Sequence, residues 1–304
     1  IIWHFPQYAL AGAALSDVAT VAGTDLSPAV AAVPVLLVAL TMSSLYGRSP
    51  RLLRAYETEE QALIIGVIQC FGLVVAATAA ETDWGAVARG FVPSLPEPRG
   101  NTSSATIATS GLAAAVGINM VFLYPYSLRA RGWGGEHRGF ARFDLVAGML
   151  VPYTIATTLV VIATANTIPW EEGDPVEKMM PVDAARAFGS VLGATNGRLV
   201  FDLGLVGMAL STIALHMVCS GLALAELCGV GPERRAYKVG LLLPVPGVLG
   251  PVYWDNLLWL VVPTNIVCGL FLPLTYVGLI LWARRANGAA RPRGATVAAM
   301  AVFT

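Results

Sequence analysis

The chain has 304 residues and a formal net charge of zero, with 56% hydrophobic and only 12% charged residues. Its mean hydropathy is +0.67. These values exclude an ordinary soluble globular domain. The apolar runs are continuous over about 20 residues and do not alternate with period two, so they predict transmembrane helices and not a barrel. The sequence therefore indicates an all-α polytopic membrane protein.

The apolar runs predict a single transmembrane domain over residues 1–304. Its predicted spans are 1–22, 28–46, 61–80, 105–128, 143–165, 199–228, 237–254 and 257–283, with a partial ninth span at 295–304. The chain begins inside the first run and ends inside the last. We therefore expect it to be a fragment of a longer membrane protein.

Charge placement in the loops predicts the orientation of the spans. Lysine and arginine concentrate in alternate loops, near residues 47–60, 129–142, 229–238 and 284–294, whereas acidic residues dominate the intervening loops. Because basic loops stay on the cytoplasmic side, we expect these four loops to be cytoplasmic. The bilayer would be the plasma (inner) membrane.

Some carboxylic acids lie within predicted spans. Asp17 occurs in the first span, and Asp202 and Glu226 lie near the two ends of the sixth. An ionisable group inside a membrane is costly and marks a transport pathway or a structural pair. Both interpretations stay open for Asp17. For Asp202 and Glu226 we expect contact with water at the membrane surface.

The fourth span contains an amide and a proline in its apolar run. Pro125 cannot donate a hydrogen bond to the carbonyl of Val121, and its ring crowds that carbonyl, so we expect a helix break there. Carbonyl oxygens of a broken helix, together with the Asn119 amide, suit a cation. The alternatives are an interhelical hydrogen bond for Asn119 and a tolerated kink for Pro125.

Side chains with soft donor atoms occur in the sixth span, at His216, Met217 and Cys219. Their near-consecutive positions spread them around the helix, so we expect them to pack and not to bind a metal. No paired acids and no nucleophile with an adjacent base are visible in the spans or loops. We expect no enzymatic activity.

Several of these stretches resemble motifs of the natural-resistance-associated macrophage protein family of divalent metal transporters. The second broken helix of that family reads Met-Pro-His followed by Asn-Leu-Tyr-Leu-His-Ser, and the matching run here is Asn119–Val121 followed by Phe122–Ser127. Three further stretches match family motifs in the same order. They are Leu15–Thr20, Asp83–Pro93, and Thr264-Asn265 with Leu270–Pro273.

The resemblance implies a LeuT-like inverted-repeat helical bundle that is incomplete, because the eight spans would be the third to tenth helices of the family. It implies that the metal ligands are the side chain of Asn119, the backbone carbonyl of Val116 and the side chain of Asn265. Gly117 and Pro125 would accompany the helix break. Asp17 and Tyr126 would belong to the transport pathway or to proton movement.

The chain departs from the family where the chemistry is most specific. Asn119 replaces a methionine ligand, so a hard amide oxygen stands in place of a soft thioether, and hard ions such as Mg²⁺ or Mn²⁺ gain relative preference. The two histidines of the family fall on Val121 and Tyr126, which are poor proton carriers at neutral pH. We expect facilitated cation movement, with proton coupling through Asp17 as the alternative.

The expected partners are a divalent metal ion, as the transported substrate, and the lipid bilayer. We expect no nucleic acid partner and no cofactor. Two alternative functions stay open: a transporter of an amino acid or another small organic solute on the same fold, and a relative that does not transport. An Asp-Pro-Gly motif in the missing first helix would favour metal transport, whereas a glycine-rich break without a carboxylate would favour the organic solute.

Overall fold

A computed structural model describes residues 2–45, 65–95, 98, 103–115, 117–168, 181–232, 234–253, 258–285 and 294. Within these ranges every regular element is a helix. The chain divides into two compact units, and the first contains Ile1–Ser94 and Trp133–Leu260. The second contains Leu95–Gly132 and Val261–Thr304. The prediction of one domain over 1–304 stays a prediction.

Most helices belong to the first unit. Its α-helices are α1 (His4–Val21), α2 (Pro28–Leu45), α3 (Ile65–Ala77), α4 (Trp84–Gly90), α7 (Arg138–Leu145), α8 (Val151–Thr167), α9 (Pro181–Leu192), α10 (Ala194–Leu227), α11 (Arg235–Leu242) and α12 (Gly250–Tyr253). A π-helical turn, Val146–Leu150, joins α7 to α8, and short 3-10 helices cover Gly135–His137 and Val245–Leu249. The second unit contains α5 (Ser104–Ala115), α6 (Ile118–Ala130) and most of α13 (Leu258–Arg285).

Small residues set the packing of α1, α2, α10 and α11. A side chain at Gly12 of α1 would collide with the carbonyl of Pro28, where α2 begins. A Cβ atom on Gly240 of α11 would lie 2.7 Å from the α-carbon of Gly221 of α10. Close approach of backbones at small residues is how helices gain van der Waals contact in a bilayer, where lipid competes with apolar side chains. α10 therefore packs directly on α1 and on α11.

An aromatic cluster joins α3, α9 and α10. The ring of Phe71 lies edge-on to that of Phe188, with a centroid distance of 4.6 Å, and Phe188 lies 5.6 Å from Phe201 in the same geometry. Such edge-to-face pairs contribute about 0.5–1.5 kcal/mol each beyond their buried area. They hold the first turns of α10 in place.

Five helical stretches are long and apolar enough to cross a membrane within the described part of the chain. They are Pro28–Leu45, Ser104–Arg129, Gly135–Thr167, Ala194–Leu227 and Leu260–Arg285. α1 and the shorter α3 are not among them. The partial ninth span predicted at 295–304 lies outside the described residues.

The boundaries of several helices differ from the predicted spans. The region of the predicted seventh span, 237–254, contains three short helices, because Pro244, Pro246 and Pro251 remove backbone donors and crowd the preceding turn. The predicted connections also contain helices, namely α4 and α9. Both are too short to cross a bilayer, which needs about 20 residues.

In the second unit, α5 packs against α13 at Gly269. A Cβ atom on this glycine would lie 2.9 Å from the Cγ2 atom of Thr109 and 3.5 Å from the Cβ atom of Ala113. The two helices therefore approach each other at a residue without a side chain. The contact lies about one helical turn from Asn265 on α13 and one turn from Gly117 beyond the end of α5.

Candidate cation site

The helix break lies at Gly117. α5 ends at Ala115, Gly117 has extended backbone angles (φ −78°, ψ 144°), and α6 begins at Ile118. Val116, whose carbonyl is a predicted ligand, lies outside the described residues. The last four carbonyls of a helix have no partner within that helix, and together they carry partial negative charge. The end of α5 therefore offers hard oxygen donors of the kind that a cation needs.

Pro125 does not break the helix, contrary to the prediction from the sequence. α6 continues through Pro125 to Ala130. A proline inside a helix removes one hydrogen bond, and the flanking turns sustain the helical path here. The interruption is eight residues earlier, at Gly117, and a side chain lies close against this glycine.

Asn119 is that side chain. It is half-buried at the second position of α6, and its Oδ1 atom turns back against the α-carbon of Gly117, where a Cβ atom would collide with it. The carbonyl of Gly117 accepts the backbone N–H of Met120 at 3.0 Å and is used to start the helix. The amide of Asn119 thus lies directly at the break, next to the free end of α5.

Asn265 has a buried amide oxygen. The residue is 5% exposed on α13, and its Oδ1 atom has no hydrogen-bond partner in the described structure. Leaving a buried acceptor unpaired costs about 1–3 kcal/mol. A bound cation would remove that cost. Asn119 and Asn265 belong to the same compact unit.

The candidate side-chain ligands, Asn119 and Asn265, offer amide oxygens. The described residues contain no group of three or more His, Cys, Asp or Glu side chains that could hold a metal ion. Amide and carbonyl oxygens remain, and these suit ions that keep part of their hydration shell, as Mg²⁺ does. Soft thiophilic metals would find no thioether at Asn119.

Tyr126, the second residue predicted for the transport pathway, is half-buried on α6. Its ring lies 5.4 Å from that of Phe122, one turn earlier. The two rings are tilted by 46° to each other and lie on one side of α6.

Asp17 lies in the first unit and forms an ion pair. The guanidinium of Arg198 on α10 contacts both carboxylate oxygens, with Nε 3.0 Å from Oδ2 and Nη2 bonded to Oδ1. A bidentate pair of this kind is strong and directional. It joins α1 to α10 across 181 positions of the sequence.

Asp202, one turn after Arg198 on α10, was expected to contact water. That expectation is wrong: the residue is 0% exposed, and neither carboxylate oxygen has a hydrogen-bond donor in the described structure. Its burial follows from the packing of α1, α3 and α9 around the start of α10. Sequence reasoning missed Arg198 and the role of Asp202, although a basic and an acidic residue four apart in an apolar helix are a visible signal.

His216 and Met217 are buried in packing contacts, as their sequence spacing predicts. The ring of His216 lies 5.3 Å from that of His4, whose Nε2 atom is 3.3 Å from the carbonyl of Ile213. Met217 is fully buried, and its sulfur lies 3.5 Å from the hydroxyl of Ser43. These contacts join α1, α2 and α10.

No curated protein matches the sequence significantly. The sequence model of one family, described as natural resistance-associated macrophage protein-like, matches residues 2–303. This match covers nearly the whole chain, and it agrees with the long apolar helices and the interrupted helix at Gly117. The chain belongs to the natural-resistance-associated macrophage protein (Nramp) family of divalent metal transporters, and it is an all-α, multi-pass integral membrane protein.

Proposed function

We propose that this protein moves a hard divalent cation, Mg²⁺ or Mn²⁺, across the membrane, and that Asn119, Asn265 and the carbonyl of Val116 contribute ligands. The unpaired, buried Oδ1 atom of Asn265 carries the proposal. It belongs to the same unit as the helix break and Asn119. Two amide oxygens and the end of α5 would replace part of the hydration shell of the ion.

The choice of ion rests on ligand hardness. Mg²⁺ binds oxygen almost exclusively and retains several waters, so two or three protein oxygens suffice for it. Mn²⁺ accepts the same ligands. Cd²⁺ gains most from a sulfur donor, and Asn119 offers none.

Proton transfer at the positions of the family histidines is not part of this proposal. Val121 cannot bind a proton, and a tyrosine phenol such as that of Tyr126 is a poor proton carrier at neutral pH. Cation movement would follow the electrochemical gradient of the ion. Gly117 serves this site by leaving room for the amide of Asn119.

The proposed location is the plasma (inner) membrane, with the loops near 47–60, 129–142, 229–238 and 284–294 on the cytoplasmic side. The excess of arginine and lysine in these loops supports this orientation. Cysteine labelling of single positions in each loop of intact cells would test it.

Uptake of Mg²⁺, Mn²⁺ and Cd²⁺ into liposomes that contain the full-length protein tests the proposal. We expect the native protein to carry Mg²⁺ or Mn²⁺, and Asn119→Met to shift the preference toward Cd²⁺ by roughly tenfold, the equivalent of about 1.4 kcal/mol. Leu112→Met, at an exposed position of α5, adds the same thioether away from the break and should leave the preference unchanged. An Asn119→Met protein with native ion preference would remove Asn119 from the site.

Asn265 is tested separately in the same assay. Asn265→Leu keeps the approximate volume and removes the amide, so we expect a several-fold higher KM for Mg²⁺. Asn265→Gln keeps an amide with one more methylene and should retain more activity than the leucine variant. A folded protein that carries none of the three ions, but exchanges a small organic solute, would replace the metal proposal with the alternative.

A further inference from the structure

Asp202 presents an electrostatic problem that the cation site does not explain. It is 0% exposed, and no donor of the described structure reaches its carboxylate oxygens. An unpaired carboxylate inside a protein costs several kcal/mol, and native structures avoid that cost by pairing the charge or by neutralising it. The charge of Asp202 must therefore be paired with a cation or neutralised by a proton.

The nearest cation is already engaged. Arg198 lies one turn before Asp202 on α10, but its Nε and Nη2 atoms donate to Asp17 on α1. The Arg198 side chain is 38% exposed, whereas the Asp17 side chain is only 13% exposed. Asp202 is left beside this pair without a direct hydrogen bond from it.

Asp17 itself is the polar neighbour of Asp202. Arg198 holds the carboxylate of Asp17 and lies four residues before Asp202 on α10, so the Asp17 and Asp202 carboxyl groups belong to the same contact of α1 with α10. Two ionised carboxylates cannot form a hydrogen bond, because each only accepts, and a proton on one of them supplies the missing donor. Neighbouring carboxyl groups behave as one titrating pair and not as two independent acids.

Among the described residues, few other charged groups lie on the helices that pack against α10. α2 carries no ionisable side chain, and α3 contributes only the thiol of Cys70. α11 packs at the opposite end of α10, near Gly221, where its Arg235 and Lys238 are exposed. α9 carries Asp183 and Arg186, whose side chains lie outside the described residues.

We propose that Asp17 and Asp202 form a proton-binding carboxyl pair, in which Asp202 donates the shared proton to the carboxylate that Arg198 holds. A metal ion fits less well at this position, because the adjacent guanidinium repels cations and the described residues contain no group of three or more His, Cys, Asp or Glu side chains that could hold one. Loss of the proton would leave two negative charges against one positive charge at the contact of α1 with α10. Proton binding would then favour close packing of these helices.

The pair also supplies a pH dependence that does not require the family histidines. This consequence rests on the proposed cation transport, since a movement of α1 relative to α10 would be a step of the transport cycle. The proton leaves the Asp202 carboxyl group for water and returns to it, and no other chemical group is consumed. The sequence resemblance assigns Asp202 no role.

Infrared spectroscopy of the purified full-length protein tests the proton-binding pair. We expect a C=O stretching band of a protonated carboxylic acid at neutral pH, shifted in D₂O and absent from Asp202→Asn. Asp17→Asn should also lose the band, because Arg198 would then be free to pair with an ionised Asp202. Asp83→Asn, whose carboxylate is 69% exposed, should retain it. A native protein without the band, or an Asp202→Asn protein that retains it, would overturn the proposal.

Liposome uptake distinguishes this proposal from the proposed function. We expect Mg²⁺ uptake by the native protein to change several-fold between acidic and alkaline pH, and uptake by Asp202→Asn to vary little. If neither protein takes up any cation while the infrared bands behave as stated, the proposed function fails and the proton-binding pair stands. If uptake by Asp202→Asn keeps the native pH profile, the link between the pair and transport is refuted.

Discussion

Arg198 donates a hydrogen bond to each carboxylate oxygen of Asp17, with its Nε atom 3.0 Å from Oδ2, and so joins α10 to α1. We expect Arg198→Gln to lower the free energy of unfolding by about 1–3 kcal/mol, because a charge-assisted, half-buried pair is lost. Arg198→Lys should fall between this variant and the native protein, since an ammonium cannot form both bonds in the same plane. Thermal unfolding in detergent measures the difference.

The matched control is the exposed pair of Arg89 with Asp83, 3.5 Å apart, with side chains 74% and 69% exposed. A pair in water contributes about 0–1 kcal/mol. Arg89→Gln should therefore leave the unfolding temperature almost unchanged. If Arg198→Gln and Arg89→Gln lower the unfolding temperature equally, the ion pair between α1 and α10 contributes no more stability than an exposed pair.

Gly117→Ala should weaken cation binding without unfolding the protein. Gly117 has backbone angles that alanine adopts freely, but the added Cβ atom would displace the Oδ1 atom of Asn119. We expect the KM for Mg²⁺ to rise roughly tenfold, the equivalent of about 1.4 kcal/mol of lost binding. Uptake kinetics in liposomes give the value.

Gly111→Ala is the control for this change, since a Cβ atom at Gly111 of α5 meets nothing within 4 Å. It should keep the native KM and gain up to about 1 kcal/mol of helix stability. A native KM in Gly117→Ala would show that the position of the Asn119 amide does not matter for the ion.

Two glycines of α13 should respond to alanine with opposite signs. At Gly269 the new Cβ atom would lie 2.9 Å from Thr109, so α5 and α13 must separate and stability should fall by about 1–3 kcal/mol. At Gly278 the space is open, and alanine should stabilise the helix by up to about 1 kcal/mol. Unfolding in detergent distinguishes the signs, and stabilisation by both variants would place the α5–α13 contact elsewhere.

Pro125→Ala tests whether the proline matters once the break is placed at Gly117. Alanine restores an N–H donor for the carbonyl of Val121 inside α6, so we expect equal or higher stability, by at most about 3 kcal/mol. Cation uptake should persist. Loss of uptake in a stable Pro125→Ala protein would assign the carbonyl of Val121 to the transport pathway.

The class of fold could be predicted from the sequence, because the length and composition of each apolar run decide locally whether a helix can span the bilayer. The prediction of an all-α polytopic membrane protein is confirmed, and family membership is shown by a match over residues 2–303. The seventh span was less predictable. The region is apolar throughout, so its hydropathy predicts one span, but Pro244, Pro246 and Pro251 divide it into short helices.

The position of the helix break could not be read from residue type alone. Pro125 is the stronger helix breaker in isolation, yet α6 continues through it, and the break occurs at Gly117. The contact of Gly117 with the Asn119 side chain accompanies the break, and it depends on how the chain turns. The identity of Asn119, in contrast, was available from its amide in an apolar run.

Asp17 and Asp202 show the limit of reasoning along the sequence. Each could be recognised as an ionisable group in a span, but their pairing partners lie on helices far apart in the chain. The link between Asp17 and Arg198 spans 181 positions. The packing of α1, α3 and α9 around the start of α10 encloses Asp202, whereas Glu226, at the other end of the same helix, is exposed.

The π-helical turn Val146–Leu150, between α7 and α8, also affects how this protein tolerates changes in length. A π turn takes up one residue more than an α-helical turn. A deletion of one residue within Val146–Leu150 would therefore convert the bulge to regular α-helix while both flanking helices keep the faces they now present. The same deletion within α8 would rotate every following side chain by about 100°. This turn is the one described stretch of the Gly135–Thr167 helix in which one residue can be deleted without rotating the side chains that follow.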